Sequence, residues 1–466
     1  MFKLNLVKIS GSEVLPIIEG GKGINVSTGV TAGNFAKSGA VGTFSAVNAD
    51  SYDDEGNVIS QVYDSKLSRK EKFDKLVKYA INGAIHQAKT AYDIASGNGR
   101  IHMNVLWEAG GASKILEAVL SKAKGLIHGV TSGAGMPYSL GEIASNNNVY
   151  YYPIVSSVRA FKILWKRSYI KFRDFLGGIV YEDPWLAGGH NGISNSEDPN
   201  TRQNPYLRIK GIRDFMTEIG LDDIPIILAG GVWNINEFSE YLNNKEIGKI
   251  AFQFGTRPLL TKESPISDSW KNYLFDIKEG DVSLNQFSPT GFYSSAIKND
   301  FLKNLAFRSS TEIPVSRIKT DIFTEQIPSG NGITYFYIAK TNLNKALDYI
   351  KSGLTRLVKT PDDSVVFLSN DEAIQIKKDQ ASCMGCLSFC RFSGWSDKEP
   401  YTTGLYPDVR SFCIQKTLQD VSHGGNIQKN LLFAGHSVYR FAKDEFYKNK
   451  FIPTITQLVE RIKTGK

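Results

Sequence analysis

Between residues 14 and 277, short runs of apolar and β-branched residues alternate with longer amphipathic stretches, a pattern that few folds accept. Such alternation belongs to successive βαβ units, which build a parallel sheet. Eight runs read as strands, at 14–19, 39–47, 101–107, 125–131, 150–156, 177–181, 224–229 and 249–254. Pro153-Ile154-Val155 and Ile224-Pro225-Ile226-Ile227-Leu228 are apolar throughout, as strands covered on both faces must be. Pro225 then falls at a strand start, where its missing N–H costs little. The clearest helix runs from Leu67 to Ile94, with Phe73, Leu76, Val77, Ala80 and Ala84 on one face and Gly97-Asn98-Gly99 as its stop. Further helices fit 112–123, 158–168, 205–219 and 234–244, the last with Asn234 as N-cap.

Eight repeats favour a closed barrel over an open doubly wound sheet. The open sheet would carry Gly-x-Gly-x-x-Gly after its first strand and an acid ~20 residues on. Gly20-Gly21-Lys22-Gly23 lacks that spacing. The expected fold class is therefore α/β, a (β/α)₈ TIM barrel over residues 1–277. Residues 278–330 read as an irregular connection, with turn signals at Ser288-Pro289-Thr290-Gly291 and Pro328-Ser329-Gly330-Asn331-Gly332. Residues 331–466 read as a smaller α+β or mostly helical region, beginning with a strand at Ile333–Ile338, a helix at 342–352 and a strand at Ser364–Leu368.

Composition excludes several classes. No apolar run approaches the ~18 residues of a membrane span. Lys3 and Lys8 interrupt the opening residues, which lack a signal-peptide core, so a cytoplasmic enzyme is expected. The net charge of +8, from 55 Lys+Arg against 47 Asp+Glu, comes from lysines scattered among acids. No basic patch interleaved with aromatics argues for nucleic acid, though a mild positive field suits an anionic ligand.

In a barrel of this kind, functional residues lie at the C-terminal ends of strands, and a phosphate often sits after strands seven and eight. Ala229-Gly230-Gly231-Val232 and Gln253-Phe254-Gly255-Thr256-Arg257 occupy those two places. Their glycines let backbone N–H groups approach phosphate oxygens; Thr256 offers a hydroxyl donor and Arg257 a nearby charge. Gly20-Gly21 after strand one would let a flat ring lie on the backbone. Asn104 falls in an apolar strand, where its amide needs a partner. Gly133-Ala134-Gly135-Met136-Pro137 gives a tight loop after strand four.

His190 follows strand six between Gly188-Gly189 and Gly192, and imidazole near its ordinary pKa of ~6.5 is the usual general base at neutral pH. His86 and His102 read as structural, while His128, His423 and His436 have no supporting constellation. The barrel contains no Cys. All four lie later, as Cys383-x₂-Cys386-x₃-Cys390 with Cys413 beyond. Four thiolates hold zinc or an iron–sulfur cluster, but residues 383, 386 and 390 also share one helical face, as packed core cysteines would.

In their order and type, Gly20-Gly21, Asn104, Gly133–Pro137, Ala187–Gly192, Ala229–Gly231 and Gln253–Thr256 resemble the nitronate monooxygenase (2-nitropropane dioxygenase-like) flavoproteins, relatives of the FMN-dependent enoyl-ACP reductases. The resemblance implies that Gly20, Gly21, Asn104, Gly133, Gly189, Gly230, Gly231, Gln253, Phe254, Gly255 and Thr256 bind FMN and that His190 is the catalytic base. It implies oxidation of a nitronate or nitroalkane with O2. The same loops also suit NAD(P)H-dependent reduction of an enoyl thioester. A flavin-free phosphate-binding lyase or isomerase barrel and a non-enzymatic binding module are the remaining readings. An iron–sulfur cluster would be able to relay electrons to FMN, whereas zinc would be structural. The chain departs from the family in its length, and in Ser194–Pro205, where the family's flavin-contacting Gln and Gly have no counterpart and the stretch Ile193–Pro199 is acidic instead.

Overall fold

Eight parallel strands close on themselves in a computed structural model that describes residues 4–61, 66–194, 196–328 and 335–465. They are β1 (Ile17–Glu19), β2 (Val41–Ser45), β3 (Arg100–Leu106), β4 (Gly129–Gly133), β5 (Tyr150–Val155), β6 (Ile179–Glu182), β7 (Ile226–Ala229) and β8 (Ile250–Phe254). β8 pairs back onto β1 through Phe252↔Ile17, Gln253↔Ile18 and Phe254↔Glu19, which shuts the barrel. All eight expected strands are present. β4 lies later than expected because its buried stretch continues through the small residues Thr131, Ser132 and Gly133.

The N-terminal end of the barrel is plugged by a hairpin pairing Val7–Ile9 with Ser12–Val14. Ile9 and Val14 join Ile18, Val41, Val180, Ile227 and Ala251 in one buried cluster. Beside it, Ser10 Oγ lies 2.8 Å from Tyr152 Oη and 2.9 Å from His102 Nε2, so His102 is structural, as its place in a strand suggests. Function is left to the opposite end.

The outer helices follow from their caps. α1 (Gly29–Lys37), not anticipated because its glycines and alanines carry little helical pattern, has a Thr28/Thr31 capping box. α2 (Arg69–Ala95) has a Ser68/Glu71 box, and its alanine face packs on α1. α3 (Ala112–Lys122), α4 (Leu140–Asn146), α5 (Val158–Arg167) and α6 (Pro205–Glu218) follow β3 to β6. The helix expected at 234–244 is replaced by a short 3-10 turn at Ile235–Phe238. Asn234 does not cap it, because its Oδ1 accepts a hydrogen bond from Arg257 at 3.2 Å.

The described part of the segment 278–330, up to Pro328, is not an irregular connection. After α7 (Asp268–Leu274), strands Val282–Asn285 and Ser294–Ile297 pair antiparallel, and α8 (Asp300–Ser310) follows. Strand Ser294–Ile297 then adds Gly189–His190 to its free edge, with Ser294 opposite His190. The turn signal at Ser288–Gly291 lies within this sheet; Ser329–Gly332 and the expected strand start at Ile333 lie outside the described residues. Beyond come α9 (Leu343–Lys351), α10 (Asn370–Ala381) and a small sheet of Glu312–Pro314, Arg356–Lys359 and Ser364–Leu368, an α+β arrangement. α11 (Ile414–Ser422) crosses the barrel mouth, and α12 (Ile455–Thr464) returns to pack on α1 within the barrel's own core. No helix among the described residues is long and apolar enough to cross a membrane.

Candidate active site

The C-terminal ends of the strands surround a cavity lined by every expected ligand residue except Phe254. Phe254 is fully buried in the barrel core, and only its carbonyl reaches the loop, accepting from Gly20 N–H at 2.9 Å. Strand alternation explains this: Gln253 and Gly255 face the cavity, and the residue between them faces away. Asn104 crosses the floor against Gly21, where any side chain would collide with its Cβ and Cγ. A flat ring therefore meets bare backbone at β1 and an amide at β3.

At the far end, Gly230 and Gly231 hold φ of +82° and +76°, a conformation that leaves the turn after β7 to glycine. Thr256 stands beside it, its Oγ1 accepting from Gly435 N–H at 3.0 Å, which leaves the hydroxyl hydrogen free to donate. Arg257 does not contribute charge here. Its guanidinium is buried over Trp233, donates to Trp233 O at 2.8 Å and reaches Tyr447 Oη at 3.2 Å.

The roof comes from the far C-terminal part of the chain. Cys386, Leu387, Ile414, Gln415, Leu418 and residues 431–435 with Ser437 line the same cavity. They are fixed to the barrel by Ser388 N–H to Glu108 O at 2.7 Å and Gly110 N–H to Cys386 O at 3.0 Å. A side chain at Gly188 would run into Ala434, so the His190 loop and the roof touch backbone to backbone. Apart from His436, which was weighed and set aside, nothing in the sequence pattern marked residues 431–437, which lie between helices and carry no charge motif.

His190 is held by the added strand and by a 2.6 Å hydrogen bond between its Nε2 and Ser288 Oγ, itself 2.9 Å from Thr290 Oγ1. Its ring meets the edge of Phe433 at 5.3 Å. Burial pushes its pKa down to about 4, so the imidazole is neutral at pH 7. Beside it, at the end of β6, Glu182 lines the same cavity with no hydrogen-bond or ion-pair partner among the described residues. Burial, and then the charge of neighbouring Asp183, push the Glu182 carboxyl up to about 8, and it is largely protonated at pH 7. Glu182 was not singled out in the sequence; its signal is an acid at a buried strand end, two residues beyond Val180.

Glu182 and His190 also line a second cavity of about 1060 Å³, bounded by α5, the loop after β6 and the start of α6. The acidic segment forms part of its wall, where Glu197 bridges Arg208 at 2.6 Å and Arg208 lies over Trp185. Of the other histidines, His86 stacks on Tyr52, His128 Nδ1 accepts from Ile101 N–H at 3.0 Å, and His423 pairs with Asp50 at 2.7 Å. His436 lies 3.3 Å from Ser295 Oγ.

The four cysteines share one core cluster behind the roof. They are not on a helix: α10 ends at Ala381, and Gly385 turns the chain with φ +77°. Burial raises the Cys386 thiol well above the usual range, Cys390 to about 11 and Cys413 to about 12. Among the described residues, no group of three or more His, Cys, Asp or Glu side chains is arranged to hold a metal ion, so neither the zinc nor the iron–sulfur expectation is shown by their arrangement.

Compared with known proteins, residues 5–383 match the profile of the nitronate monooxygenase family. No curated protein matches by sequence. Among solved structures, the enoyl reductase domain of MlnA from the macrolactin cluster of Bacillus amyloliquefaciens is similar at TM-score 0.55 and 12% identity, covering 96% of this chain and 93% of that one. FabK from Thermotoga maritima is similar at TM-score 0.49 and 14% identity, covering 96% and 91%. A nitroalkane oxidase from Streptomyces ansochromogenes gives TM-score 0.44 and 17% identity, covering 62% and 78%. At these identities the likeness concerns the fold.

Proposed function

Because the chain belongs to the nitronate monooxygenase family of FMN-dependent oxidoreductases, we propose that it is an FMN enzyme that reduces an activated carbon–carbon double bond, of the enoyl-thioester class, with NAD(P)H as reductant. The observation that carries this reading is the second cavity. At about 1060 Å³ it stands at the top of the ~300–1,000 Å³ range of small-molecule sites. A nitronate of a few carbons would fill a small part of it, whereas an acyl chain would fill its length. Nitronate oxidation with O2, the activity that gives the family its name, is the second reading.

The side chains fit FMN. Gly20, Gly21 and Asn104 would carry the ring, and Gly230, Gly231, Gln253, Gly255 and Thr256 the ribityl phosphate, with Gly133 and Gly189 closing the sides. The backbone clearance at Gly21 and the left-handed turn at Gly230-Gly231 are what a ring and a phosphate in close approach need. When bound, FMN would supply the hydride.

Saturating a double bond consumes one hydride and one proton. Glu182, protonated at pH 7 and beside the cavity shared with the substrate chamber, holds that proton on its carboxyl and regains it from solvent. His190 is neutral. If Ser288 donates across the 2.6 Å contact to Nε2, the ring proton rests on Nδ1, and the imidazole would serve as a hydrogen-bond donor for a thioester carbonyl rather than as a base. A depressed pKa suits a neutral donor better than a base for a carbon acid.

The test is anaerobic NAD(P)H oxidation with an enoyl thioester, set against O2 consumption with an alkyl nitronate alone. The expected result is thioester-dependent NAD(P)H oxidation with the saturated product formed in equal amount. Rapid nitronate-dependent O2 uptake without thioester reduction would transfer the chain to the second reading.

A further inference from the structure

We propose that Cys383, Cys386, Cys390 and Cys413 ligate an iron–sulfur cluster set into the roof of the flavin cavity. The assignment rests on the cysteines alone and stands whichever substrate reading holds. The four come from two segments, the turn after α10 and the residue preceding α11, yet Cys390 lies in one buried cluster and the other three, half-buried, pack against it. Cys386 lies within electrostatic reach of the other three. Such convergence brings together everything that a four-thiolate site needs.

A second observation concerns the hydrogen-bond donors around the sulfurs. The backbone N–H of Gln415 reaches Cys386, and that of Lys416 reaches Cys413. Both come from the first turn of α11, whose free N–H groups and dipole favour negative charge. The N–H groups of Phe392 and Ser393 reach Cys390, and the Ser393 hydroxyl lies 3.1 Å from Cys383. Neutral thiols packed as small hydrophobes have no use for donors on every sulfur. Thiolates carrying the charge of a cluster do, since hydrogen bonds to sulfur are among the means by which proteins hold and tune such centres.

The geometry also discriminates between metals. A single zinc needs four thiolates at ~2.3 Å from one point, and no three of these side chains are so arranged. A polynuclear cluster places each cysteine on its own iron, so its ligands stand further apart around a larger centre. The frame for such a centre is rigid: the left-handed turn at Gly385 is backed by Trp395, which is fully buried. Because Cys386 also lines the main cavity, the cluster would lie against the flavin site.

The experiment uses the full chain, purified without oxygen and reconstituted with ferrous iron and sulfide, with iron, sulfide, zinc and flavin measured together. The expected result is about four iron and four sulfide per chain, the content of a [4Fe–4S] cluster held by four cysteines. Broad visible absorption beneath the flavin bands should bleach on reduction. Cys413→Ser and Cys383→Ser should each lose most of the iron while keeping bound FMN. Wild-type protein that takes up no iron, or that carries stoichiometric zinc instead, overturns the assignment. So does a folded Cys413→Ser variant with wild-type iron; should both variants fail to fold, the wild-type metal content decides.

Discussion

The barrel and the region that follows it meet across one cavity, but they build their halves of it by different means. The barrel supplies strand ends, where periodic burial fixes the backbone and the loops inherit their positions from the fold. The later region supplies a roof with little repeating structure, pinned by single contacts: Gly110 to Cys386, Glu108 to Ser388, Gly435 to Thr256 and Gly188 against Ala434. A site whose floor is set by topology and whose roof is set by seams tolerates change unequally. Loop substitutions in the floor act locally, whereas damage to a seam is felt on both sides.

The largest expected effect tests whether the two regions are one cooperative unit. Trp395 in the roof is fully buried and packs on Phe73 of α2 at 5.6 Å between rings. Trp395→Ala should cost about 3–5 kcal/mol, the usual range for emptying such a site. The shared packing predicts a single thermal transition moved to lower temperature. A separate early transition, with the barrel melting as in wild type, would break the comparison into two independent bodies.

A smaller effect is expected at the seam. A methyl at Gly188 would press into the backbone of Ala434, and overpacking of this kind costs about 1–3 kcal/mol. Gly188→Ala should weaken FMN binding, measured by flavin retention on gel filtration, more than it lowers the melting temperature. Unchanged flavin affinity would mean that the roof does not close the cofactor site.

The smallest is electrostatic. His423 at the end of α11 pairs with Asp50 of the barrel at 2.7 Å, which raises the imidazole pKa. A raised folded pKa adds stability that is fully present below the unfolded value of ~6.5 and is lost as pH rises through the folded value. The pair is partly exposed, so the gain is under about 1 kcal/mol. His423→Gln should therefore lower the melting temperature at pH 5.5 and leave it nearly unchanged at pH 9. Equal loss at both pH values would assign the contact to packing.

The same division governs what the sequence discloses. β-Branched runs around Ile154, Ile226 and Phe252 mark strands because burial on both faces imposes an apolar composition, and the glycine pairs at 20–21 and 230–231 mark strand-end turns that line the cavity. The helix at 234–244 was misplaced because its cap residue, Asn234, is engaged by a buried arginine that local pattern does not reveal. The strand at Ser294–Ile297 was missed because its small residues look like a loop, although they are completely buried. Phe433, Gly435 and Ser437 were invisible for a further reason: they reach the cavity by long-range return of the chain, and no local periodicity records that. Glu182 was hidden by its neighbour Asp183, since two adjacent acids read as surface; the Arg202 partner of Asp183, which Glu182 lacks, separates the ion-paired acid from the protonated one.

The central claim is that a protonated Glu182 and a neutral His190 flank the reacting atoms, and the pH dependence of turnover tests it most directly. Reductive turnover should fall as pH rises through about 8, where Glu182 loses its proton, and should hold steady down to the region of about 4, where His190 would gain one. In Glu182→Gln, turnover should drop by roughly 10²–10⁴-fold, with the limb near 8 abolished and bound FMN retained. A limb near 8 that persists unchanged in Glu182→Gln, or a wild-type rate that rises through pH 8, would contradict the account.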